Sequence, residues 1–188
     1  MADPTLKKKW ERVFYTFFDT NKNKVIDWND FEVLQEKIKE LRGEDSMEYK
    51  VVSDSFRIVW KGLLHQTKNL AMNDAHDQDY TISLEEWDQA WTKYDPKHMQ
   101  IWQWEYLKDF FLLLDSNGDK KIDRDEYGVV MGLYGVKDAD AKACFDKFAL
   151  DSSGKKLDAI DYGQFVNLWH KYFTSKDSKE KANHLFGP

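Results

Sequence analysis

Residues 115–126 read Asp-Ser-Asn-Gly-Asp-Lys-Lys-Ile-Asp-Arg-Asp-Glu, and residues 19–30 read Asp-Thr-Asn-Lys-Asn-Lys-Val-Ile-Asp-Trp-Asn-Asp. Set one above the other, both stretches place oxygen-bearing side chains at positions 1, 3, 5, 9 and 12, and both have isoleucine at position 8 (Ile122 and Ile26). An aromatic follows each, Tyr127 and Phe31. Apolar residues precede each at matching offsets: Phe110, Phe111 and Leu114 before one, Phe14, Tyr15 and Phe18 before the other. An internal repeat of this kind sets the unit of the fold, which here is helix, polar loop, helix.

The spacing has a chemical reason. Ca²⁺ is a hard cation that takes six to eight oxygens at about 2.3–2.6 Å, and a short loop supplies them only by coiling around the ion. Side chains at positions 1, 3 and 5, a backbone carbonyl at position 7, a side chain at 9 and a carboxylate at 12 make that shell, which is the EF-hand pattern. The candidate ligands of the first loop are Asp19, Asn21, Asn23, Val25 (by its carbonyl), Asp27 and Asp30. Those of the other are Asp115, Asn117, Asp119, Lys121 (by its carbonyl), Asp123 and Glu126. Glu126 reaches the ion with two oxygens, so loop 115–126 is expected to be the best Ca²⁺ site. Asp30 is one methylene shorter, which favours six-coordination and moves loop 19–30 toward Mg²⁺ or mixed occupancy. Lys24 and Lys120 stand at position 6, where glycine is usual. A left-handed residue there costs on the order of 1 kcal/mol, a loss of affinity and not of the site.

Two degraded copies follow the same template, and each is expected to pair its position-8 residue with that of an intact loop. With Ile82 at position 8, loop 75–86 offers Asp77, Asp79, Thr81 and Glu86, but position 1 is Ala75, which has no oxygen. Asn73 or Asp74 would have to take its place. A third ion and a metal-free structural loop both fit this stretch. With Leu157 at position 8 the fourth loop runs 150–161 and has Gly154 at position 5. Counting from Asp151 instead puts Asp158 where the apolar residue belongs. Either count breaks the shell, so this loop is expected to be metal-free, with Tyr162 still following it.

Helical periodicity dominates the remainder. Asp3 and Pro4 open a first helix carrying Leu6, Trp10, Val13, Phe14, Phe17 and Phe18. A second runs from Trp28 to Leu41 and stops at Gly43. A third follows Ser46 and carries Val51, Val52, Phe56, Val59, Trp60, Leu63 and Leu64. Ser83 and Glu86 make a capping box for a fourth. Asp95-Pro96 opens a fifth that ends at Leu114. A sixth spans 124–134, Asp138 caps a seventh reaching Leu150, and an eighth covers 159–173. The expected fold is all-α, four EF-hand units in two pairs forming one compact globule. Residues 1–94 hold the first pair, 95–173 the second with its degenerate 150–161 loop, and 174–188 form a tail whose Leu185 and Phe186 dock on the core.

Composition narrows the function. Among 188 residues, 34 are acidic and 28 basic, a net charge of −6 that argues against nucleic-acid binding. The longest apolar run, Phe110 to Leu114, is far shorter than the roughly 18 residues that span a bilayer. The first residues carry no apolar secretory core, and Ala2 stands where myristoylation needs glycine. Cys144 reads as a small buried hydrophobe of a reducing compartment. There are 12 Phe, 8 Trp and 9 Tyr but only 5 Met. That balance suits a rigid aromatic core better than a Met-rich target groove. No nucleophile–base spacing or phosphate-binding loop is present, so no catalytic residue and no organic cofactor is expected.

Uneven loop spacing, Asp30 closing the first loop, the stretch Ile122 to Gly128, the broken fourth loop and the string Asn183-His184-Leu185-Phe186-Gly187 together resemble the calexcitin and invertebrate sarcoplasmic calcium-binding protein family. The resemblance spans nearly the whole chain. It implies a cytoplasmic, non-enzymatic Ca²⁺ binder with three occupied loops and an empty fourth. Ala75 departs from that pattern. The expectation is a Ca²⁺ and Mg²⁺ buffer or calcium-signal modulator, monomeric and without a stable membrane anchor. A sensor that exposes an apolar surface to a dedicated protein partner is the alternative. A coelenterazine-type photoprotein is a remoter one, touched on by Trp169, His170, Tyr172 and Pro188.

Overall fold

The computed structural model describes residues 3–73, 76–95 and 98–188. Among them, eight α-helices carry most of the chain, and four short strands make two antiparallel ribbons. Residues group into two units, Met1–Asp109 and Phe110–Pro188, each with its own ribbon. The division falls inside a helix and not at 94/95, because Trp102 and Tyr106 at the start of that helix pack their rings on Phe18 of the first unit.

In the first unit, α1 (Pro4–Val13) is capped by Asp3, whose Oδ1 accepts from the Thr5 amide at 2.9 Å. The helix widens into a π turn over Phe14–Phe18, which buries Phe14, Phe17 and Phe18. Next come β1 (Val25–Ile26) and α2 (Trp28–Arg42), which ends at Gly43 with φ 90°, a left-handed stop that glycine adopts freely. Ser46 Oγ caps α3 (Met47–Lys68) by accepting from the Tyr49 amide at 3.1 Å. The apolar face of α3 runs through Val52, Phe56, Val59, Trp60, Leu63 and Leu64, all buried. Val51, expected on that face, is exposed, because the stripe takes its neighbour Val52 at the same turn. After β2 (Ile82–Ser83), the Ser83–Glu86 capping box opens α4 (Leu84–Thr92) as expected.

The fifth helix, α5, spans Ile101–Leu114 and so starts later than Asp95-Pro96. Pro96 lies outside the described residues. Asp95 turns instead to His98, 2.7 Å away, and the Gln100 amide donates to Gln103 Oε1 at 3.1 Å just ahead of the helix. Rings fill the first core. Trp10 stacks on Trp91, Phe18 meets Phe31, Trp87, Trp102 and Tyr106, and Phe31 meets Phe56 and Trp60. Trp87 Nε1 donates to the Trp10 carbonyl at 3.0 Å, so even its polar atom is satisfied.

The second unit holds the end of α5, then β3 (Lys121–Asp123), α6 (Arg124–Leu133), α7 (Asp138–Phe148), β4 (Ala159–Asp161) and α8 (Tyr162–Thr174). Asp138 does not cap α7. Lys137 is the N-cap residue, while Asp138 is helical and pairs with Lys142 at 3.0 Å. The helix ends at Phe148, short of Leu150. Residues expected to begin the eighth helix are strand β4 instead, and α8 starts where Asp161 accepts from the Gln164 amide at 2.8 Å. Leu185 and Phe186 are buried as expected. Tyr127 Oη donates to the Leu185 carbonyl at 2.7 Å, and Phe186 packs on Phe110, Trp169, Tyr172 and Phe173.

Candidate metal centres

Loops 19–30 and 115–126 share one hydrogen-bond plan, drawn by their own side chains. The position-6 amide donates to the position-1 carboxylate: Lys24 N to Asp19 Oδ2 at 3.1 Å, Lys120 N to Asp115 Oδ2 at 3.0 Å. The position-5 amide donates to Asn at position 3 (Asn23 to Asn21 at 3.0 Å, Asp119 to Asn117 at 2.8 Å). The position-7 amide donates to position 5 (Val25 to Asn23 at 3.0 Å, Lys121 to Asp119 at 2.9 Å). Each loop thus coils through successive Asx turns.

The closing carboxylates do the same work in both. Asp30 Oδ1 accepts from the Asn21 amide at 3.0 Å and Oδ2 from the Asp27 amide at 2.9 Å. Glu126 Oε1 accepts from the Asn117 amide at 3.2 Å and Oε2 from the Asp123 amide at 3.0 Å. Asp30 is short but reaches both amides, and the Thr20 hydroxyl donates to it as well, at 3.2 Å to Oδ1. Burial pushes the Asp30 carboxyl above the ordinary carboxylate range, and the Asp27 and Asn21 amides pull it part of the way back. Lys24 and Lys120 adopt the left-handed backbone that position 6 demands, with φ 72° and 66°. Loop 19–30 carries a second such lysine, Lys22 at φ 61°, where the other loop has Gly118 at φ 73°.

Two oxygens in the first plan and one in the second are left over. Asp19 Oδ1 and Asp115 Oδ1, both at position 1, are buried without a hydrogen-bond partner, and so is Asp27 Oδ1 at position 9. A buried acceptor without a donor costs about 1–3 kcal/mol, more when it carries charge. A cation is the partner these atoms can take, so the residues fit a metal. No three His, Cys, Asp or Glu side chains converge on one point among the described residues. The loops are closed through amides, and their donor set also draws on Asn side chains and carbonyls.

Loop 75–86 is built differently. Ala75 and Asp74 lie outside the described residues. Asp77 and Glu86, proposed ligands at positions 3 and 12, are each taken by a cation from α3. Arg57 Nη1 lies 3.3 and 3.2 Å from the two Asp77 carboxylate oxygens, with Lys61 Nζ 3.9 Å from Oδ2. Lys68 Nζ donates to Glu86 Oε1, the oxygen equivalent to the one that takes a loop amide in the two intact loops. The other oxygen, Oε2, accepts from the Ser83 amide at 2.9 Å as in those loops. Burial raises the Glu86 carboxyl, yet the Lys68 and Ser83 bonds hold it below its usual range. Asp79 points outward beside His76, 79% exposed, and Thr81 is exposed. Two of the four thus carry a cation of α3, and two face solvent. The signal in the sequence is a basic stripe, Arg57, Lys61 and Lys68, spaced along one side of α3.

The ribbons place the fourth loop in a new register. Ile26 pairs with Ile82 and Ile122 with Ile160, so the position-8 residue is Ile160 and not Leu157. Ala149 takes the turn that Asp19 takes after its helix (φ −77°, ψ 69° against −81°, 68°), so position 1 is Ala149 and position 12 is Gln164. The extra residues fold outward as a turn closed by the Leu150–Lys156 bridge, with Asp151 Oδ1 accepting from Ser153 and Lys155. Neither end residue carries charge.

Helices flanking a carboxylate-lined loop, with loops paired through their eighth residues, define an EF-hand protein. No protein-family model matches the chain. Calexcitin-1 of Caenorhabditis elegans is 33% identical over 186 residues, which is 99% of this chain and 88% of that protein. Among solved structures, the sarcoplasmic calcium-binding protein of amphioxus superposes with a TM-score of 0.75 at 22% identity, over 99% of this chain and 98% of its own. The photoprotein clytin reaches 0.67 at 17% identity, over 98% of this chain and 94% of its own. The chain belongs to the calexcitin and sarcoplasmic calcium-binding protein family.

Proposed function

We propose that this chain binds Ca²⁺ at loops 19–30 and 115–126 and serves in the cytoplasm as a calcium buffer or calcium-signal modulator, as a monomer and without enzymatic activity. The observation that carries this is the pair of buried, partnerless Asp19 Oδ1 and Asp115 Oδ1 atoms at the same position of two loops with one hydrogen-bond plan. Bound ions supply the positive charge those atoms lack. The chain's own residues order the loop in advance, through the amides held by Asp30 and Glu126. Mg²⁺ is the competing ion at loop 19–30, because Asp30 is one methylene shorter than Glu126 and favours a smaller, six-coordinate shell.

A target-binding sensor is the second reading, and the exposure of Met47, Val51 and Ile58 along one side of α3 favours it. The likeness to photoproteins is one of fold and supports no light-emitting chemistry. Calorimetric titration tests the main reading. Glu126→Gln should remove the tightest Ca²⁺ event, and Asp19→Asn should remove a separate one. Titrations that match the unaltered chain would overturn the assignment.

A further inference from the structure

We propose that loop 75–86 is a self-neutralised hand: Arg57, Lys61 and Lys68 of α3 stand where another loop has its metal, and their charge keeps β2 in place as the partner of β1. Lys68 and Arg57 are then positioning residues for loop 19–30, an inference that rests on the reading of that loop as a metal site.

Three observations converge on it. The two carboxylates that would ligate at positions 3 and 12 are the two that α3 holds, Asp77 by Arg57 and Lys61, Glu86 by Lys68. Asp77 is only 6% exposed, and its carbonyl also accepts from Trp60 Nε1 at 2.9 Å, so the pair is anchored on both its backbone and its side chain. Arg57 in turn spans both loops of the unit. Its Cζ lies 4.0 Å from the centroid of the Trp28 ring, and Trp28 follows directly on Asp27 of loop 19–30. Trp28 stacks on Phe31, the aromatic that seats that loop on the core. One guanidinium therefore ties position 3 of one loop to position 10 of the other, alongside the Val25–Ser83 and Ile26–Ile82 pairs.

The consequence differs from that of an ordinary degenerate loop. A hand emptied by mutation has four acidic residues repelling one another, and loop 75–86 has four (Asp77, Asp79, Glu85, Glu86) with no basic residue of its own. Fixed cations on a neighbouring helix remove that repulsion without any ion in solution. Partly buried charge pairs of this kind resist screening better than exposed ones. Half of the first ribbon is thus ordered before metal arrives, and loop 19–30 closes against a ready partner.

Hydrogen–deuterium exchange of the full chain in EGTA tests this without depending on metal. Lys68→Met keeps the stem and removes the charge. It should raise exchange across the segments carrying β1 and β2 roughly fivefold, leave β3 and β4 unchanged, and be restored by Lys68→Arg. Ca²⁺ titration in the Glu126→Gln background then reads loop 19–30 alone, and Lys68→Met should weaken that event by a similar factor. Unchanged exchange in Lys68→Met, or a third Ca²⁺ bound by the unaltered chain, overturns the proposal. Loss of the loop 19–30 event in Glu126→Gln itself would instead overturn the metal assignment, with the exchange result still standing.

Discussion

Asp109 on α5 shows how one residue sets a pH dependence. It is 5% exposed, and the Ser55 hydroxyl of α3 donates to it. Burial pushes its carboxyl up to about 6; the Ser55 bond opposes this, Glu105 adds to it and Lys108 opposes it. The ordinary value is 3.8. Between those two values the folded chain keeps a proton that the unfolded chain has released, so stability falls as pH rises through this window. The loss is about 3 kcal/mol at most. Asp109→Asn keeps a partner for Ser55 and cannot ionise. Urea midpoints at pH 4.5 and 7 should therefore differ less in the variant than in the unaltered chain. Nothing in the sequence marked Asp109, since it sits at a polar position of an otherwise apolar helix and its burial comes from packing against α3. The coiled form of loops 19–30 and 115–126 was legible because it is local: side-chain oxygens at positions 1, 3 and 5 take amides a few residues further along the same loop. The fate of Asp77 and Glu86 was not, because their partners lie on α3 and only the tertiary fold brings Arg57 and Lys68 to them.

At the level of elements, helix starts were legible wherever a side chain caps locally, as at Asp3, Ser46 and Ser83. They are not legible where it does not, as at Asp138, or where strand pairing takes the residues first, as at Ala159. The fourth loop shows the same limit. Neither the 150–161 count nor the one from Asp151 matches the register, because extra residues loop out between Ala149 and Gln164. Only the Ile122–Ile160 pair fixes the register. Helix contacts carry their own expectations. A methyl group added at Gly62 of α3 would lie 2.5 Å from Trp102 Cβ of α5. Cβ is fixed to the backbone and cannot swing aside, so Gly62→Ala should destabilise the first unit by about 1–3 kcal/mol, read as a lower denaturation midpoint. In the second unit Phe186 is 1% exposed among Phe110, Trp169, Tyr172 and Phe173. Phe186→Ala should cost about 3–5 kcal/mol. A loss below 1 kcal/mol would mean that the tail is not part of that core.

For the molecule as a whole, charge and packing point the same way. Loop 75–86 holds four acidic and no basic residues, loop 19–30 three and two, and loop 115–126 five and three. The loop with the largest net negative charge is the one whose Asp77 and Glu86 are paired by α3. Two bound Ca²⁺ ions would bring the net charge from −6 to −2, and no third ion is needed to relieve the most crowded carboxylates. The aromatic residues after the two intact loops seat them on stiff surroundings, Phe31 on Phe56 and Trp60, Tyr127 on Phe145 and Phe148. A ligand shifts a conformational equilibrium only by its differential affinity for the two states. Closely packed rings, tilted or edge to face, leave few alternative packings for Ca²⁺ to select over Mg²⁺. Tryptophan fluorescence and apolar-dye binding should therefore differ between the EGTA and Mg²⁺ states but coincide for Mg²⁺ and Ca²⁺. Dye bound in Ca²⁺ alone would show that the aromatic core opens, and would move the assignment from buffer to sensor, with the exposed side of α3 at Met47, Val51 and Ile58 as the first place to seek the uncovered surface.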